Sequence, residues 1–457
     1  MKNTIINEKY IFNILQKTQS PGAEKIKDIL RKAEQKKGLS LSDVGYLVNL
    51  NDRALLDRLF AVAGKIKKEI YGERLVFFAP LYVSDFCVND CDYCNFHKRN
   101  TFLKRTKLSI KGVKEQVKFL VNSGHKRILV EFGEDPLYND IGYVTEVIKA
   151  IYSVKISKGN IRRVNVNIAA TTIENYRKLK QAKIGTYQLF QETYHRQTYK
   201  KFHHGPKQDY QRQITAHNRV FQAGIDDVGL GVLFGLYDWR FEVLSLLMHA
   251  QYLDKKYGVG PHTISVPRIQ DAPTVKMDLA HKVSDDDFLK IIAILRLAIP
   301  YAGMIISTRE GCRIRKKAFK IGISQASASS CTSVGGYGRK INHPQFAIHD
   351  ERSLEEVIRD VVQDGLLPSF CTACYRLGRT GEDFMDIAKP GHIHNFCRSN
   401  GLLTFAEYLE DFSHNRLYVK GQGLIRFYLG KIKDKDLRED TRRKLQEIKQ
   451  GSRDLYF

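Results

Sequence analysis

No stretch of this 457-residue chain approaches the run of about twenty apolar residues that a membrane span requires. The first residues, MKNTIINEKYIFNILQK, lack an apolar run of signal-peptide length. The two absences predict a soluble, cytoplasmic protein with no membrane partner; a short, basic, poorly patterned transit peptide into a eukaryotic organelle stays compatible with them. No internal repeat or low-complexity segment is present, which excludes repeat arrays and disordered tracts. Acidic residues are in deficit, 50 Asp and Glu against 74 Lys and Arg, for a net charge of +24. That excess fits an RNA-binding surface and keeps an RNA-modifying enzyme in play. Yet no dense basic block with interleaved aromatics occurs, and the tail GLIRFYLGKIKDKDLREDTRRKLQEIKQGSR alternates sign as a solvated helix does. Solvated surface is the better reading, and a nucleic-acid partner is not expected. Cysteine is sparse, eight residues in all, and six of them fall into two sets of three. This points to a reducing compartment and metal chemistry instead of disulfides, with Cys312 and Cys331 left over.

The first set is Cys87, Cys91 and Cys94 in CVNDCDYC, just after the apolar run LVFFAPLYV. Three thiolates at this spacing suit three irons of a cubane and leave the fourth open. An open iron chelates the amino and carboxylate groups of S-adenosylmethionine (SAM), and one electron then cleaves the sulfonium to a 5′-deoxyadenosyl radical. The pattern CxxxCx(aromatic)C, with Tyr93 in the aromatic place beside the adenine, is the radical-SAM signature. A zinc knuckle normally uses four ligands in two pairs. The second set is the CxxC of Cys371 and Cys374, with Cys397 after a spacer of twenty-two residues. Three thiolates again favour a cluster with an open iron. His392 or His394 would instead complete a Cys3His zinc site.

Eight short apolar or β-branched runs recur through the middle of the chain, at about 74–83, 127–133, 163–170, 186–192, 227–235, 262–269, 303–310 and 324–330. Amphipathic stretches such as SIKGVKEQVKFLVNSG, YVTEVIKAIYSVK and DDFLKIIAILRLA separate them. Eight β-then-α units predict an α/β fold, a full (βα)8 TIM barrel. Residues 1–72 read as an N-terminal helical extension, 73–345 as the barrel and 346–457 as a C-terminal helical domain carrying the distal cysteines. Cys87, Cys91 and Cys94 then follow strand one, at the barrel end where active sites gather.

The stretches VNVNIAATT, GTYQLFQETYHRQTYKKFH, GVGPHTISVPR and PSFCTACYRLGRTGEDFMDIAKPGHIHNFC resemble the HydG family, radical-SAM tyrosine lyases that mature FeFe-hydrogenase. The resemblance runs from about residue 74 to about 412, and CxxC-x22-C is what separates this family from the related ThiH lyases of thiazole synthesis. It implies two 4Fe-4S clusters, one binding SAM and a C-terminal one with an extra iron and added L-cysteine. The implied reaction breaks the Cα–Cβ bond of L-tyrosine to p-cresol and dehydroglycine, then makes carbon monoxide and cyanide on the iron complex. Hydrogenase maturation proteins and an electron donor such as ferredoxin or flavodoxin are the implied partners. The residues also fit, less well, a ThiH-like lyase that stops at dehydroglycine (2-iminoacetate) and a non-catalytic zinc scaffold.

Residue by residue, Gly133 and Glu134 in EFGEDP stand where radical-SAM enzymes carry the Gly-Gly-Glu motif that receives the SAM ammonium, with Phe132 replacing the first glycine. Asn165, Asn167 and Glu192, at ends of strands three and four, are expected around the ribose and methionyl part of SAM; strand ends also need polar partners for their own backbone. His262 precedes strand six and so belongs at the opposite mouth, where the resemblance makes it a ligand of the extra iron. Arg309, ending strand seven, has the planar fork that pairs with an amino-acid carboxylate. Cys331 stands where similar sequences carry a basic residue.

Overall fold

A computed structural model describes residues 4–275, 277–339, 343–413 and 415–457. Its centre is the set of parallel strands β1 Arg74–Ser84, β2 Arg127–Phe132, β3 Arg163–Asn167, β4 Tyr187–Gln188, β5 Val228–Gly231, β6 Thr263–Ser265, β7 Gly303–Ile306 and β8 Gln325–Ser327. Each pairs with the next, and β8 returns to β1 through Val76↔Gln325 and Phe78↔Ser327, so the sheet closes without an edge. This is the expected eight-stranded barrel, with shorter ladders than the apolar runs suggest. Beyond Gln188 the fourth strand continues to β5 only through scattered backbone bonds, Leu189 and Gln191 N–H to the Gly229 and Gly231 carbonyls, and the isolated bridge Glu192↔Val232.

The helices between strands form because their apolar positions recur at helical spacing and because side-chain caps start them. Ser109, Asp140, Thr172 and Ser284 each accept a backbone N–H from the first turn of the following helix. The helix Asp285–Ala298 is buried from Phe288 onward, because the helix Arg53–Tyr71 of the N-terminal extension covers its outer face. Three further helices, Glu8–Lys17, Ala23–Ala33 and Leu41–Val48, complete that extension.

The region after residue 350 adds a strand that its helical pattern conceals. β9, Leu367–Ser369, pairs in parallel with the start of β1 through Arg74↔Leu367 and Val76↔Ser369. Three buried residues between a glycine turn at Gly365 and the cysteine loop are too few to show a period. β9 ties helices Ala373–Arg376, Gly381–Ala388 and Ile393–Phe412 to the N-terminal rim of the barrel. Among the described residues no helix is long and apolar enough to cross a membrane.

Side chains alternate across each strand, so every second residue faces the barrel interior. Along β2 Arg127, Leu129 and the half-buried Glu131 succeed one another on one face, and along β3 Arg163, Asn165 and the half-buried Asn167 do the same, level with them in register. The inner rows therefore make layers. Phe78, Leu129 and Ile305 form a small apolar cluster of their own at mid-height, apart from the core between strands and helices. Above it lie Glu131, Asn167 and Arg309; below it lie Arg127, Arg163 and Gln325.

Candidate active site: two cysteine sets at opposite mouths of the barrel

The loop that leaves β1 has no regular structure, so its position rests on side-chain bonds. Asp85 takes the Thr106 N–H at 2.6 Å, and Arg105 clamps the carbonyls of Asp85, Phe96 and His97 at 2.7, 2.9 and 2.6 Å. The Val88 N–H donates to the Glu134 carbonyl at 2.7 Å, which fixes the cysteine loop to the end of β2. Gly133 has to be glycine here: a Cβ would stand 2.3 Å from the Phe86 carbonyl and 3.2 Å from Cys87 Cβ.

Cys87, Cys91 and Cys94 thus meet in one pocket with Glu131, Asn167 and Lys207. Amide groups approach two of the sulfurs, Asn89 Nδ2 at 3.8 Å from Cys87 and Gln345 Nε2 at 3.6 Å from Cys94. Burial pushes all three thiols up, Cys94 to about 11 and Cys91 further still. Such thiols ionise when a positive metal core repays the desolvation, which is the chemistry of a cluster mount.

Around them, charges come in compensated pairs. Glu192, held at φ 67, accepts from Lys207 Nζ at 2.8 Å. Glu134 accepts from Asn89 at 2.6 Å and pairs with Arg212. The Tyr93 hydroxyl meets His203 Nε2 at 2.9 Å. Arg309 is half-buried, its guanidinium 3.2 Å from the centroid of the Phe346 ring, and it faces Tyr82, Glu192, Cys94 and Glu131. Burial, only partly opposed by Arg309 and Asn167, lifts the Glu131 carboxyl to about 8. The cavity between the cysteines and Arg309 also receives Ser327, Ser330 and Thr332; Ser330 Oγ is buried without a partner.

Tyr93, Gly133, Glu134, Asn167, Glu192 and Arg309 all stand at this mouth. Asn165 is a correction. It faces inward one layer lower, its Oδ1 is taken by the Thr186 N–H at 3.0 Å, and it lines neither upper pocket. Cys331 also turns away, its sulfur 3.8 Å from the Ser333 carbonyl and packed against Gly336. Phe132 packs on the Tyr143 ring, 6.2 Å between centroids, and also lines the cysteine pocket beside Gly133.

The distal set gathers at the other mouth. Cys371 follows β9, Cys374 lies on the helix Ala373–Arg376, and Cys397 is buried on the helix Ile393–Phe412. The Ala373 N–H lies 3.5 Å from Cys371 Sγ, and the Arg74 guanidinium lies beside Cys397, which burial otherwise pushes up. Cys374 is raised to about 12, by burial first and then by the other two thiols. His262 Nε2 meets the Tyr375 hydroxyl at 3.1 Å, and its ring packs on Phe384 at 3.9 Å. Burial lowers its basicity, so the neutral, ligating imidazole is favoured. Of the histidines that would make a zinc site, His394 Nδ1 is engaged by the Gly391 carbonyl at 2.8 Å and His392 is exposed. Among the described residues no three His, Cys, Asp or Glu side chains converge to hold a single ion; a cubane takes its thiolates on separate irons.

Between this set and the apolar layer lie residues absent from the sequence expectation. Arg127 and Arg163 are buried and Arg74 is half-buried, and the Nε of each is buried without a partner among the described residues. Arg163 lies 3.1 Å from the centroid of the Tyr375 ring and reaches Asp227 Oδ2 at 3.2 Å. The signal was available in RILVEF and RVNVN, where polar residues at every second place mark an inward face.

Residues 81–247 match the Radical SAM superfamily and 265–367 the Biotin and Thiamin Synthesis associated domain. The 2-iminoacetate synthase of Escherichia coli (strain K12) is 29% identical over 349 residues, 75% of this chain and 90% of that protein. A crystal structure of HydG, described as a maturase of the [FeFe]-hydrogenase, superposes with a TM-score of 0.97 at 50% identity, over 99% of this chain and 100% of that one. HydG from Carboxydothermus hydrogenoformans gives 0.85 at 40% identity, over 96% and 97%.

Proposed function

The chain belongs to the HydG family of radical SAM enzymes, and from that premise we propose that it cleaves L-tyrosine between Cα and Cβ to p-cresol and dehydroglycine, then forms carbon monoxide and cyanide for the FeFe-hydrogenase active-site cluster. One observation carries this reading beyond a 2-iminoacetate synthase. Two three-cysteine sets occupy opposite mouths of one barrel, and the second set has no task in a lyase that stops at dehydroglycine.

Cys87, Cys91 and Cys94 hold a 4Fe-4S cluster that, with SAM, supplies a hydrogen-abstracting 5′-deoxyadenosyl radical. The residues around it orient and neutralise. Gly133 and Glu134 receive the SAM ammonium, Tyr93 lies beside the adenine, and Asn167 and Glu192 bind the ribose and methionyl part. Arg309 pairs with the tyrosine carboxylate; stacked on Phe346 by its face, it keeps its planar N–H edges, which a bidentate carboxylate meets, outside that stack. Glu131, with its carboxyl near 8, holds a proton at neutral pH and donates a hydrogen bond into the cavity. The layer of Phe78, Leu129 and Ile305 gives the aromatic ring an apolar rest.

Cys371, Cys374 and Cys397 hold the second cluster, and His262 ligates an extra iron that carries added L-cysteine. Arg74, Arg127 and Arg163 draw the dehydroglycine carboxylate down the barrel, because each keeps a buried Nε–H without an acceptor and, among the described residues, Asp227 is the one carboxylate paired with them. The dry interior keeps an imine and cyanide from hydrolysis and escape. Ferredoxin or flavodoxin delivers the electron, and hydrogenase maturation proteins take the product.

The test is anaerobic turnover of the iron-loaded protein with SAM, reductant and tyrosine, assayed for p-cresol and carbon monoxide together. Both products are expected. p-Cresol without carbon monoxide returns the chain to the 2-iminoacetate synthase reading, and neither product sinks the proposal.

A further inference from the structure

A second kind of cavity opens outside the barrel, beside its lower mouth. The end of the helix Arg53–Tyr71, the end of the helix Cys312–Ile321, the turn 364–366 and the turn after Asn415–Leu429 enclose about 570 Å³. Its cations are Lys67, Lys68, Lys320, Arg398, Lys431 and Lys433, against the carboxylates of Glu73 and Asp364. Both carboxylates are engaged, Glu73 with Arg398 at 3.6 Å and Asp364 with Lys316 at 3.8 Å. Among the described residues none of the five lysines has an ion pair.

Lys67 is the unusual one. It is 1% exposed, it lines the cavity, and its ammonium has no hydrogen-bond partner among the described residues. Burial, and then the Arg296 guanidinium, pull it down to about 7. Arg398 Nε, also on the cavity wall, is buried with no acceptor. A fold bears a buried, unpaired cation at a cost that an entering anion removes.

We propose that this cavity binds a phosphate-bearing small molecule, with Lys67 at its floor and Lys320, Lys431 and Lys433 at its rim. The choice of anion follows from the donors. The fork of Arg398 is committed to Glu73 and to the Lys431 carbonyl at 3.0 Å, so planar, bidentate carboxylate recognition is spent. What remains is a group of ammonium point charges, which suit the higher and more symmetric charge of phosphate. A small molecule, and not an acidic protein face, is required because only a ligand entering the cavity meets Lys67. Phe427 is 57% exposed at the rim, with the Lys431 ammonium 5.2 Å from its ring centroid, and offers a resting place for an attached aromatic ring.

The inference is independent of the lyase reading. Isothermal titration of the cluster-loaded full chain, with SAM saturating the upper site, uses inorganic pyrophosphate and ADP as probes. Saturable binding at one site is expected, weakened at least tenfold in Lys67→Met and in the Lys431→Glu/Lys433→Glu double variant. The second variant changes exposed residues only, so loss of folding does not explain its effect. Tighter binding of ADP, with the gain lost in Phe427→Ala, identifies a nucleotide as the source; equal affinities identify free phosphate. No saturable binding of either probe overturns the proposal, as does unchanged affinity in the double variant. Binding of polyglutamate without either phosphate probe also overturns it, and gives the surface to an acidic protein.

Discussion

The upper and lower mouths of the barrel each gather three cysteines, but they are built on opposite plans. Above, the thiols lie within one loop, locked by Asp85, Arg105 and the carbonyl of Glu134. Every carboxylate at the rim has its own cation or amide, as in Glu192 with Lys207 and Glu134 with Arg212 and Asn89. Below, the thiols come from a loop and two helices, and the neighbouring charges are arginines with unpartnered Nε atoms. The upper site pairs its charges before anything binds, which suits zwitterionic tyrosine and the amino-acid end of SAM. The lower one has standing positive charge, which suits anions. An apolar layer of Phe78, Leu129 and Ile305 separates them, so each end keeps its own electrostatics.

Removing the upper thiols breaks the comparison most severely. Cys87→Ala, Cys91→Ala or Cys94→Ala is expected to lower 5′-deoxyadenosine formation on the order of a thousandfold, to background, since the other two thiolates do not make a cluster with a defined open iron. Both p-cresol and carbon monoxide disappear with it, while electron paramagnetic resonance of the reduced protein still shows the lower cluster. Deoxyadenosine at the wild-type rate in any of the three would end the assignment.

The lower thiols give the next largest effect and the sharper test, because only one product responds. Cys371→Ala, Cys374→Ala or Cys397→Ala should cut carbon monoxide to near zero and leave p-cresol within about twofold, as distant and independent sites do. Equal loss of both products would mean that the two mouths are one structural unit around a structural metal.

How far the sequence foretold these two plans differs between them. The closed barrel was legible because eight apolar runs alternate with amphipathic stretches, and so were both cysteine sets, since a thiol motif is read along the chain. β9 was not, being three residues within a helical region. The layers inside the barrel were half legible. RILVEF and RVNVN carry the period-2 signal that places Arg127, Glu131 and Arg163 inward, yet attention to strand ends favoured Asn165 over them. Asn165 fails because a strand rises by only about 3.3 Å per residue, and two residues short of the end is one layer down. Lys207 and Gln345 were beyond reach, since the short 3-10 turn Pro206–Gln208 and an irregular stretch bring them to the cysteines and neither carries a pattern.

His262 refines the lower end further. His262→Ala removes one imidazole and spares the three thiolates, so carbon monoxide should fall by about tenfold, with p-cresol unchanged. The paramagnetic spectrum of the lower cluster should change shape without losing intensity. Normal carbon monoxide with an unaltered spectrum would leave His262 as a packing partner of Phe384 and Tyr375 alone.

The smallest effect tests whether the upper rim owes anything to the residue that replaces a glycine. Phe132 ends β2 with its ring packed on Tyr143, whereas Glu131 faces the cavity and Gly133 makes the close approach to Phe86. Truncation to alanine therefore removes mainly the packing on Tyr143, at the edge of the cysteine pocket that Phe132 also lines. Loss of a half-buried ring costs about 1–2 kcal/mol, read as a fall of a few degrees in melting temperature. The SAM KM in Phe132→Ala should stay within about threefold of the parent, because the backbone proposed to receive the ammonium is set by Gly133 and by the Val88–Glu134 bond. A tenfold rise in that KM with an unchanged melting temperature would show that the ring shapes the upper site, and that the balance at this mouth depends on more than its paired charges.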